Sequence, residues 1–334
     1  MNQNIEDFKF PKVKIYERKV NLKYENSIII GPKGVGKTFL ILYFLKSFKG
    51  KFIYIDLDDP REKKLNLSGY DLVILENYNK FFPLPNTTTF LTSTTDFNIR
   101  GFKKIYLHGL DFEEYFSFDR HQSITHSFNY FLSDGNMAEL LFVDDFFKAK
   151  KLQENFKLMP YDKDILKFLF THIGEKFSLY QIYQILKKNK KLSKDKFYEE
   201  IETLQKDNVI FLVDKFNSSK APKKVFSYNF GYKNALTYDK NVLGLLENMV
   251  FLELDDEVYY LENINFYLPE KQKIILVFPF ITELQLNEKL KKIPRNLDYE
   301  YIEVVTISNE FEMEYKNKKI EVKPFWMWAL VEEE

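Results

Sequence analysis

The first third of the chain alternates short apolar runs with polar or helix-like stretches. Runs this continuous are typical of strands buried on both faces, as in a parallel sheet covered by helices. The alternation of strand-like and helix-like segments predicts the same α/β architecture. Five runs are predicted to be strands of one sheet: residues 27–31, 52–56, 71–76, 89–93 and 103–107.

From about residue 111 the pattern becomes mainly helical as far as Pro160. Residues 161–213 are typical of three short helices and a β hairpin, the pattern of a winged-helix domain. The polar segment 216–224 is either the wing or a linker. Beyond it, strands mix with one helix near residues 241–254. These changes of pattern predict three domains with the bounds 1–158, 159–222 and 223–334.

An eight-residue segment after the first apolar run carries a phosphate-binding motif. Residues 31–38, GPKGVGKT, match G-x-x-x-x-G-K-[ST] at every fixed position. Its glycines let backbone N–H groups converge on an anion, and the start of the next helix adds positive potential. Lys37 can then reach the β- and γ-phosphates of a nucleotide, and the Thr38 hydroxyl can ligate Mg²⁺. The residues predicted to hold the nucleotide are Gly31, Pro32, Lys33, Gly34, Val35, Gly36, Lys37, Thr38 and Phe39.

A second metal ligand is expected where another predicted strand ends. The segment DLVILENYN, residues 71–79, is an apolar run followed by Glu76 and Asn77. Most P-loop ATPases with this pattern have Asp-Glu here, for metal binding and for activating water. Glu76 is therefore predicted to hold Mg²⁺ with Thr38, and Asn77 to orient the water. Because an amide accepts no proton, hydrolysis is expected to be slow; the alternative is a buried strand that ends in an exposed acid.

The strand predicted at 89–93 ends in two hydroxyl side chains, Thr92 and Ser93. A polar side chain at this place can sense the γ-phosphate, and Ser93 is predicted to do so; a threonine-rich strand end without such a role is the alternative. Guanine recognition needs an Asn-Lys-x-Asp element, and NKFF at 79–82 lacks the Asp. Adenine is favoured, so the predicted cofactors are ATP and Mg²⁺.

Composition limits the chemistry and the location. The chain has no cysteine, which excludes disulfides, zinc–thiolate sites and cysteine nucleophiles and fits a reducing compartment. No apolar run approaches the ~20 residues of a membrane span, so a cytoplasmic protein is expected. The net charge is zero, but residues 161–224 hold 14 lysines against nine acidic residues. This part is the candidate surface for a phosphate backbone.

Four segments together resemble bacterial and archaeal AAA-like ATPases that end in a nuclease-like module. They are GPKGVGKT, FIYIDLDDPR (52–61), DLVILEN (71–77) and KKIYLHGLDFEEYF (103–116). In that family a Phe-Glu-Glu-Tyr element follows the last strand of the sheet, and FNYFLSDGNMAEL (128–140) resembles the helical lid region. Further segments follow the C-terminal module in order: KVFSYNFGYKNAL, LLENMVFLEL, VYYLENINFYL and IEVKPFWMWAL.

The resemblance implies a sheet of order 5-1-4-3-2, a winged-helix domain and a small α+β domain folded like restriction endonucleases. Active nucleases of that type hold Mg²⁺ with an Asp and a Glu-x-Lys on neighbouring strands. Here Glu247 matches the helix acid, but Asn265 stands at the Asp position and residues 273–280 contain no Glu-x-Lys. The domain is therefore expected to be inactive. Glu321 and Lys323 lie too far along the chain and are predicted to be a surface alternation.

Six lysines surround the turn before the third helix of the predicted winged helix: Lys187, Lys188, Lys190, Lys191, Lys194 and Lys196. That helix can enter a DNA groove in winged-helix domains, but it also carries acids that repel phosphate. DNA binding, a protein contact and a solvated face therefore stay open. An arginine finger would complete an ATPase assembly. Arg100 is the first candidate and Arg120 the second, and a surface arginine is the alternative for both.

Three functions are consistent with these residues. The first is an ATP-binding protein, slowly hydrolysing with Mg²⁺, that acts as a nucleotide-gated switch for a protein or DNA partner, as a monomer or an oligomer. The second is an ATP-gated binding module that does not hydrolyse. The third is a DNA nuclease, against which the missing Asp and Glu-x-Lys argue. The predicted catalytic residues are Lys37, Glu76, Asn77, Ser93 and Arg100.

Overall fold

A computed structural model describes residues 11–60, 66–119 and 123–330 of the 334-residue chain. Packing divides the chain into two compact units, which are described separately. The first unit lies within residues 1–109 and adds 137–139 and 206–208. The second comprises 110–136, 140–205 and 209–334.

The first unit is built on a five-stranded parallel sheet. Its elements are β1 (Ser27–Ile30), α1 (Lys37–Leu45), β2 (Phe52–Asp56), β3 (Leu72–Glu76), β4 (Thr88–Ser93) and β5 (Lys103–Tyr106). The strands lie in the order β2-β3-β4-β1-β5, and each neighbouring pair is parallel. This is the predicted order 5-1-4-3-2 viewed from the opposite edge. The predicted parallel sheet is therefore confirmed.

The apolar runs form strands because both faces of the central sheet are buried. On one face, alternate residues of four strands form a single core cluster: Ile28, Ile30, Ile53, Ile55, Val73, Leu75 and Leu91. The residues between them, such as Ile29, Ile74 and Phe90, are equally inaccessible to solvent. All carboxyl ends of parallel strands lie at one edge, where ligands of such sheets bind. The GPKGVGKT loop follows β1 at this edge, and Glu76 ends β3 there.

The second unit begins with helices and a small antiparallel sheet. Its elements here are α2 (Phe112–Phe118), α3 (Ile124–Asp134), a 3₁₀ helix (Ala138–Phe142), α4 (Asp145–Leu158), α5 (Lys163–Thr171), β6 (Lys176–Phe177), α6 (Leu179–Lys187), α7 (Lys194–Lys206), β7 (Ile210–Val213) and β8 (Lys223–Ser227). The small sheet has the order β6-β8-β7. β7 and β8 form a hairpin whose second strand falls in the segment expected to open the C-terminal domain. Val225 and Phe226 fix that strand because both are fully buried.

The rest of the second unit holds a six-stranded mixed sheet. Its elements are α8 (Gly231–Leu236), α9 (Val242–Leu252), β9 (Tyr259–Leu261), β10 (Ile264–Leu268), β11 (Lys273–Val277), α10 (Glu283–Leu290), β12 (Tyr301–Thr306), β13 (Phe311–Tyr315), β14 (Lys318–Pro324) and α11 (Phe325–Trp328). The strand order is β13-β14-β12-β11-β10-β9. On β14, Ile320 and Val322 are buried whereas Glu321 and Lys323 are partly exposed, as expected for an alternating strand. The short helices α8, α10 and α11 were not predicted.

An aromatic cluster joins the start and the end of the second unit. Phe325 of α11 lies 5.6 Å from Phe112 of α2 and 6.2 Å from Phe131 of α3, measured between ring centroids. Phe131 also packs edge-on against Phe230 at 5.1 Å. These rings are almost inaccessible to solvent. Such aromatic pairs contribute about 0.5–1.5 kcal/mol each beyond their buried area, so the cluster stabilises α2 and α3 against the C-terminal residues.

Candidate functional site

The loop between β1 and α1 has the backbone of an anion cradle. Gly34 and Gly36 have φ angles of +88° and +102°, which side-chain-bearing residues rarely adopt. Gly36 is also the N-cap of α1 and, as a glycine, makes no side-chain cap hydrogen bond to that helix. The first N–H groups of a helix point out of its end and can bind an anion, and the helix dipole favours negative charge at the same place.

Lys37 is the first residue of α1, and its ammonium folds back over this loop. Nζ donates hydrogen bonds to the backbone oxygens of Gly31 at 2.6 Å and Pro32 at 2.8 Å. Burial lowers the pKa of Lys37 to about 8, a shift opposed by the Glu76 carboxylate and increased by Lys33. A phosphate that approached the ammonium would favour its charged form. Binding of an anion would therefore stabilise the charged form of Lys37 more than that of an exposed lysine.

Glu76 lies at the end of β3, and two hydroxyl groups bond to its carboxylate. Thr38 donates to Oε1 and Tyr54 donates to Oε2. Tyr54 is buried, and burial together with the Glu76 charge raises the pKa of its phenol. Tyr54 was not predicted to belong to the site, although it lies two positions before Asp56 on the same face of β2, where period-two alternation could have indicated it.

The Thr38 and Glu76 side chains fit a magnesium site. Their oxygens are in direct contact, so one small cation can reach both. Mg²⁺ prefers oxygen ligands and usually keeps one or two protein ligands, completing its shell with water and phosphate oxygens. No group of three or more His, Asp or Glu side chains suited to a metal occurs within residues 11–60, 66–119 and 123–330. The pair thus provides the sparse ligand set that Mg²⁺ uses with a nucleotide.

Asn77 follows Glu76 in a left-handed backbone conformation, with φ of +56°. Asparagine tolerates this conformation better than most residues. Its backbone N–H donates to the Thr92 hydroxyl at 2.9 Å, and its side-chain amide donates to Oδ1 of Asp56 at 3.0 Å. The N–H of Asp58 reaches the same oxygen at 3.0 Å. The amide that was predicted to orient water is therefore directed at a second carboxylate, on the neighbouring strand.

The two other predicted catalytic residues differ in their surroundings. The Ser93 hydroxyl donates to the carbonyl of Thr95 at 2.9 Å and accepts from the N–H of Thr95 at 3.0 Å, so it is engaged in its own turn. Arg100 is exposed on the loop that leads to β5. Arg120 lies outside the described residues. A sensor role for Ser93 and a finger role for Arg100 stay predictions.

Arg18 supports the phosphate-binding loop from the N-terminal side and was missed by the sequence analysis. Its guanidinium donates to the backbone oxygen of Val35 at 2.9 Å and to those of His108 and Gly109 at 3.3 Å. The side chain is buried, with 8% exposure. Because one guanidinium links the loop to the segment after β5, it fixes the position of the loop. The partners are 17 to 91 positions away, so no local pattern indicates this role.

The second unit contains a buried carboxylate of a different kind. Glu247 of α9 forms an ion pair of 2.5 Å with Lys224 of β8, and each side chain is 4% exposed. Asn265 of β10 donates to the same Glu247 oxygen and accepts from the N–H of Val277 at 3.0 Å. Burial lowers the pKa of Lys224, against the influence of Glu247. Glu247 and Asn265 thus lie together, and the Lys224 ammonium stands beside the carboxylate.

The lysine-rich turn between α6 and α7 forms an open groove of about 660 Å³. Five of the six predicted lysines line it: Lys187, Lys188, Lys190, Lys191 and Lys196. Lys190 is paired with Asp162 at 2.5 Å and with Asp164 at 3.0 Å, so part of the positive charge is compensated within the unit. The groove therefore carries a moderate positive charge.

Comparisons with known proteins find similarity to a protein family, to a sequence relative and to a solved structure. Residues 23–91 match the AAA domain family. An uncharacterized protein of Methanocaldococcus jannaschii is 22% identical over an alignment that covers 96% of this chain and 92% of that protein. A Walker-type ATPase of Pyrococcus abyssi is similar over 64% of this chain and 91% of that one, with 16% identity and a TM-score of 0.41. Within the described ranges, no helix is long and apolar enough to cross a bilayer. The segment that is similar to the AAA domain family contains the glycine loop, α1 and β3.

Proposed function

We propose that the chain is a Mg²⁺-dependent ATPase that hydrolyses slowly and acts as a nucleotide-gated switch. One observation carries this proposal: the Thr38 hydroxyl bonds to the Glu76 carboxylate at the start of α1, beside a glycine loop whose lysine ammonium is buried. The loop and Lys37 would hold the phosphates, and Thr38 with Glu76 would hold Mg²⁺. Bound Mg²⁺ would supply charge neutralisation at the phosphates.

Calorimetry of ATP and ADP with Mg²⁺ tests the site. Lys37→Ala should weaken ATP binding by about 10–100-fold, because a charge-assisted hydrogen bond is worth about 1.5–3 kcal/mol. Lys49→Ala is the matched control, since Lys49 is exposed just beyond α1. Undiminished affinity in Lys37→Ala, or no affinity in the natural sequence, would contradict the proposal.

A turnover assay distinguishes the proposed ATPase from a binding module that does not hydrolyse ATP. Asn77 cannot accept a proton, which favours a slow rate. A natural protein that binds Mg·ATP tightly but forms no ADP over hours would be the non-hydrolysing module. Formation of ADP that is lost in Lys37→Ala would identify the ATPase.

The partner of the switch is proposed to contact the second unit. Helices α5, α6 and α7 with the sheet β6-β8-β7 are consistent with a winged-helix domain, and the lysine groove suits a nucleic acid or an acidic protein surface. Binding to a labelled DNA duplex, with and without ATP, distinguishes the two. DNA affinity that falls steeply with salt and is lost on replacing Lys188 and Lys191 by Glu would favour DNA.

A DNA nuclease in the C-terminal domain is disfavoured by the Lys224–Glu247 ion pair. A nuclease carboxylate must accept a metal, and here an ammonium already neutralises it. No cleavage of DNA with Mg²⁺ or Mn²⁺ is expected. Metal-dependent cleavage that disappears in Glu247→Ala would reverse this conclusion.

A further inference from the structure

The carboxylate of Asp56 has no role in the site proposed above, yet it lies at the same edge of the sheet. Asp56 is the last residue of β2 and is the register partner of Glu76 on β3. Register partners on neighbouring strands point to the same face. Tyr54 points to that face too, and its hydroxyl reaches Glu76. Asp56 and Glu76 are therefore neighbouring carboxylates at the end of the sheet from which α1 starts.

The chain holds the Asp56 carboxylate in a fixed orientation. Two donors bond to Oδ1, the Asn77 amide and the N–H of Asp58, each at 3.0 Å. The amide is aimed by the left-handed backbone of Asn77, whose own N–H is anchored on Thr92 at 2.9 Å. Three consecutive strands thus contribute to the placement of one carboxylate. Such placement is the condition for efficient proton transfer.

Asparagine at position 77 is explained by this arrangement. A glutamate or aspartate there would place a second carboxylate against Asp56, and the two negative charges would repel each other. An amide instead donates a hydrogen bond to Asp56. Asn77, which cannot accept a proton, would then position Asp56, which can. Glu76 would remain available to bind the metal.

We propose that Asp56, positioned by Asn77, is the general base of ATP hydrolysis; this inference rests on the proposed ATPase function. In the reaction, a water oxygen forms a bond to the γ-phosphorus while the bond from that phosphorus to the β,γ-bridging oxygen breaks. ADP leaves with the electron pair of the broken bond. The proton lost by the water passes to the Asp56 carboxylate, which makes Asp56 the catalytic residue and Asn77 the positioning residue.

The test is a single-turnover measurement of ADP formation beside calorimetry of Mg·ATP binding, both on the full chain. Asp56→Asn should lower the rate by about 100-fold or more, the usual contribution of a general base, while the Kd of Mg·ATP changes less than threefold. Glu25→Gln is the matched control, because it removes an exposed carboxylate just before β1, at the opposite edge of the sheet. It should leave the rate unchanged.

Asn77→Gly tests the positioning role without straining the backbone, since glycine accepts a positive φ. We expect a rate about tenfold lower, an unchanged Kd and an unchanged melting temperature. A purely structural role would change the Kd and the melting temperature together. The exchange variant Asp56→Asn/Asn77→Asp keeps one carboxylate and one amide, and should recover part of the rate lost in Asp56→Asn.

The outcomes separate this inference from the function on which it rests. A natural protein that turns over ATP, with Asp56→Asn within threefold of its rate, would overturn the role of Asp56 and leave the ATPase intact. Tight binding of Mg·ATP with no turnover would also overturn it, because no proton transfer would take place. Absence of nucleotide binding would overturn the proposed function itself.

Discussion

The two units each hold a glutamate at a structurally central place, and the two differ in what surrounds the carboxylate. Glu76 accepts hydrogen bonds from two neutral hydroxyls, those of Thr38 and Tyr54. Glu247 is neutralised by the buried ammonium of Lys224. Neutral donors orient a carboxylate but leave its charge, whereas an ammonium cancels it. The two hydroxyls therefore leave the charge of Glu76 in place, whereas Lys224 compensates the charge of Glu247.

This difference explains why we expect the glutamate of the first unit to bind a metal and the glutamate of the second unit to have a structural role. A carboxylate that keeps its charge next to a phosphate-binding loop is suited to Mg²⁺. A carboxylate paired with an ammonium in the protein interior is a structural element, costly to disturb on one side only.

Lys224→Ala should lower the free energy of unfolding by about 3–5 kcal/mol, because it leaves Glu247 buried without a counter-charge. Urea unfolding of the full chain, followed by near-ultraviolet circular dichroism, measures the loss. The double variant Lys224→Met/Glu247→Gln is the control and should be much closer to the natural protein, since both charges are removed. A loss below about 1 kcal/mol in the single variant would show that the pair is dispensable.

Glu76→Gln should reduce the Mg²⁺-dependent part of ATP affinity by about 10–100-fold, equivalent to about 1.4–2.8 kcal/mol. Glutamine keeps the shape and one acceptor oxygen, but it loses the charge that the metal needs and one of the two oxygens that accept hydrogen bonds. Calorimetry with Mg²⁺ and with a chelator gives the two affinities. Glu247→Gln is the matched control, and an equal effect of both substitutions would remove the distinction between the sites.

ATP affinity should fall about tenfold between pH 7 and pH 9, because the pKa of Lys37 in the free protein is about 8. Negatively charged phosphates raise the pKa of Lys37, so ATP binding is accompanied by proton uptake above pH 8. ATP affinity is therefore highest below pH 8, where Lys37 is already charged. Calorimetry in two buffers of different ionisation enthalpy measures the proton uptake. Lys37→Ala should abolish it, and pH-independent affinity would contradict the assignment.

Tyr54→Phe should have the smallest effect, a loss of about 1 kcal/mol in the free energy of unfolding, because Glu76 loses one neutral donor. We expect part of this loss to be regained with Mg·ATP, since the metal then satisfies the carboxylate. Urea unfolding with and without Mg·ATP measures both quantities. Tyr24→Phe, which removes an exposed hydroxyl bonded to the Asp71 carbonyl, is the control and should change less.

The sheet and the loop could be predicted from the sequence because their signals are local. Five apolar runs indicated five strands, and GPKGVGKT is a contiguous motif. The sequence also identified Glu76, because an acid directly after an apolar run marks the end of a strand. The structure brings Lys37, Thr38 and Glu76 to one edge of the sheet, and their roles are the subject of the proposal.

The residues that were missed act across long stretches of chain. Arg18, Tyr54 and Lys224 meet partners that are 17 or more positions away, and only the folded register brings them together. The prediction for Asn77 was incomplete for the same reason, because its partner Asp56 lies 21 positions earlier in the chain. The second strand of the hairpin, β8, covers Lys223–Ser227, beyond the residues in which the sequence pattern placed the hairpin, because a polar segment of nine residues interrupts that pattern.

The aromatic cluster of Phe112, Phe131 and Phe325 bears on how the chain is made. Phe325 lies 213 positions after Phe112, so during synthesis on the ribosome these early rings emerge long before the ring that covers them. The sheet of the first unit is complete by residue 106 and can assemble while translation continues. Until Phe325 emerges, Phe112 and Phe131 of the second unit lack this buried partner, and apolar surface that is exposed in this way favours aggregation.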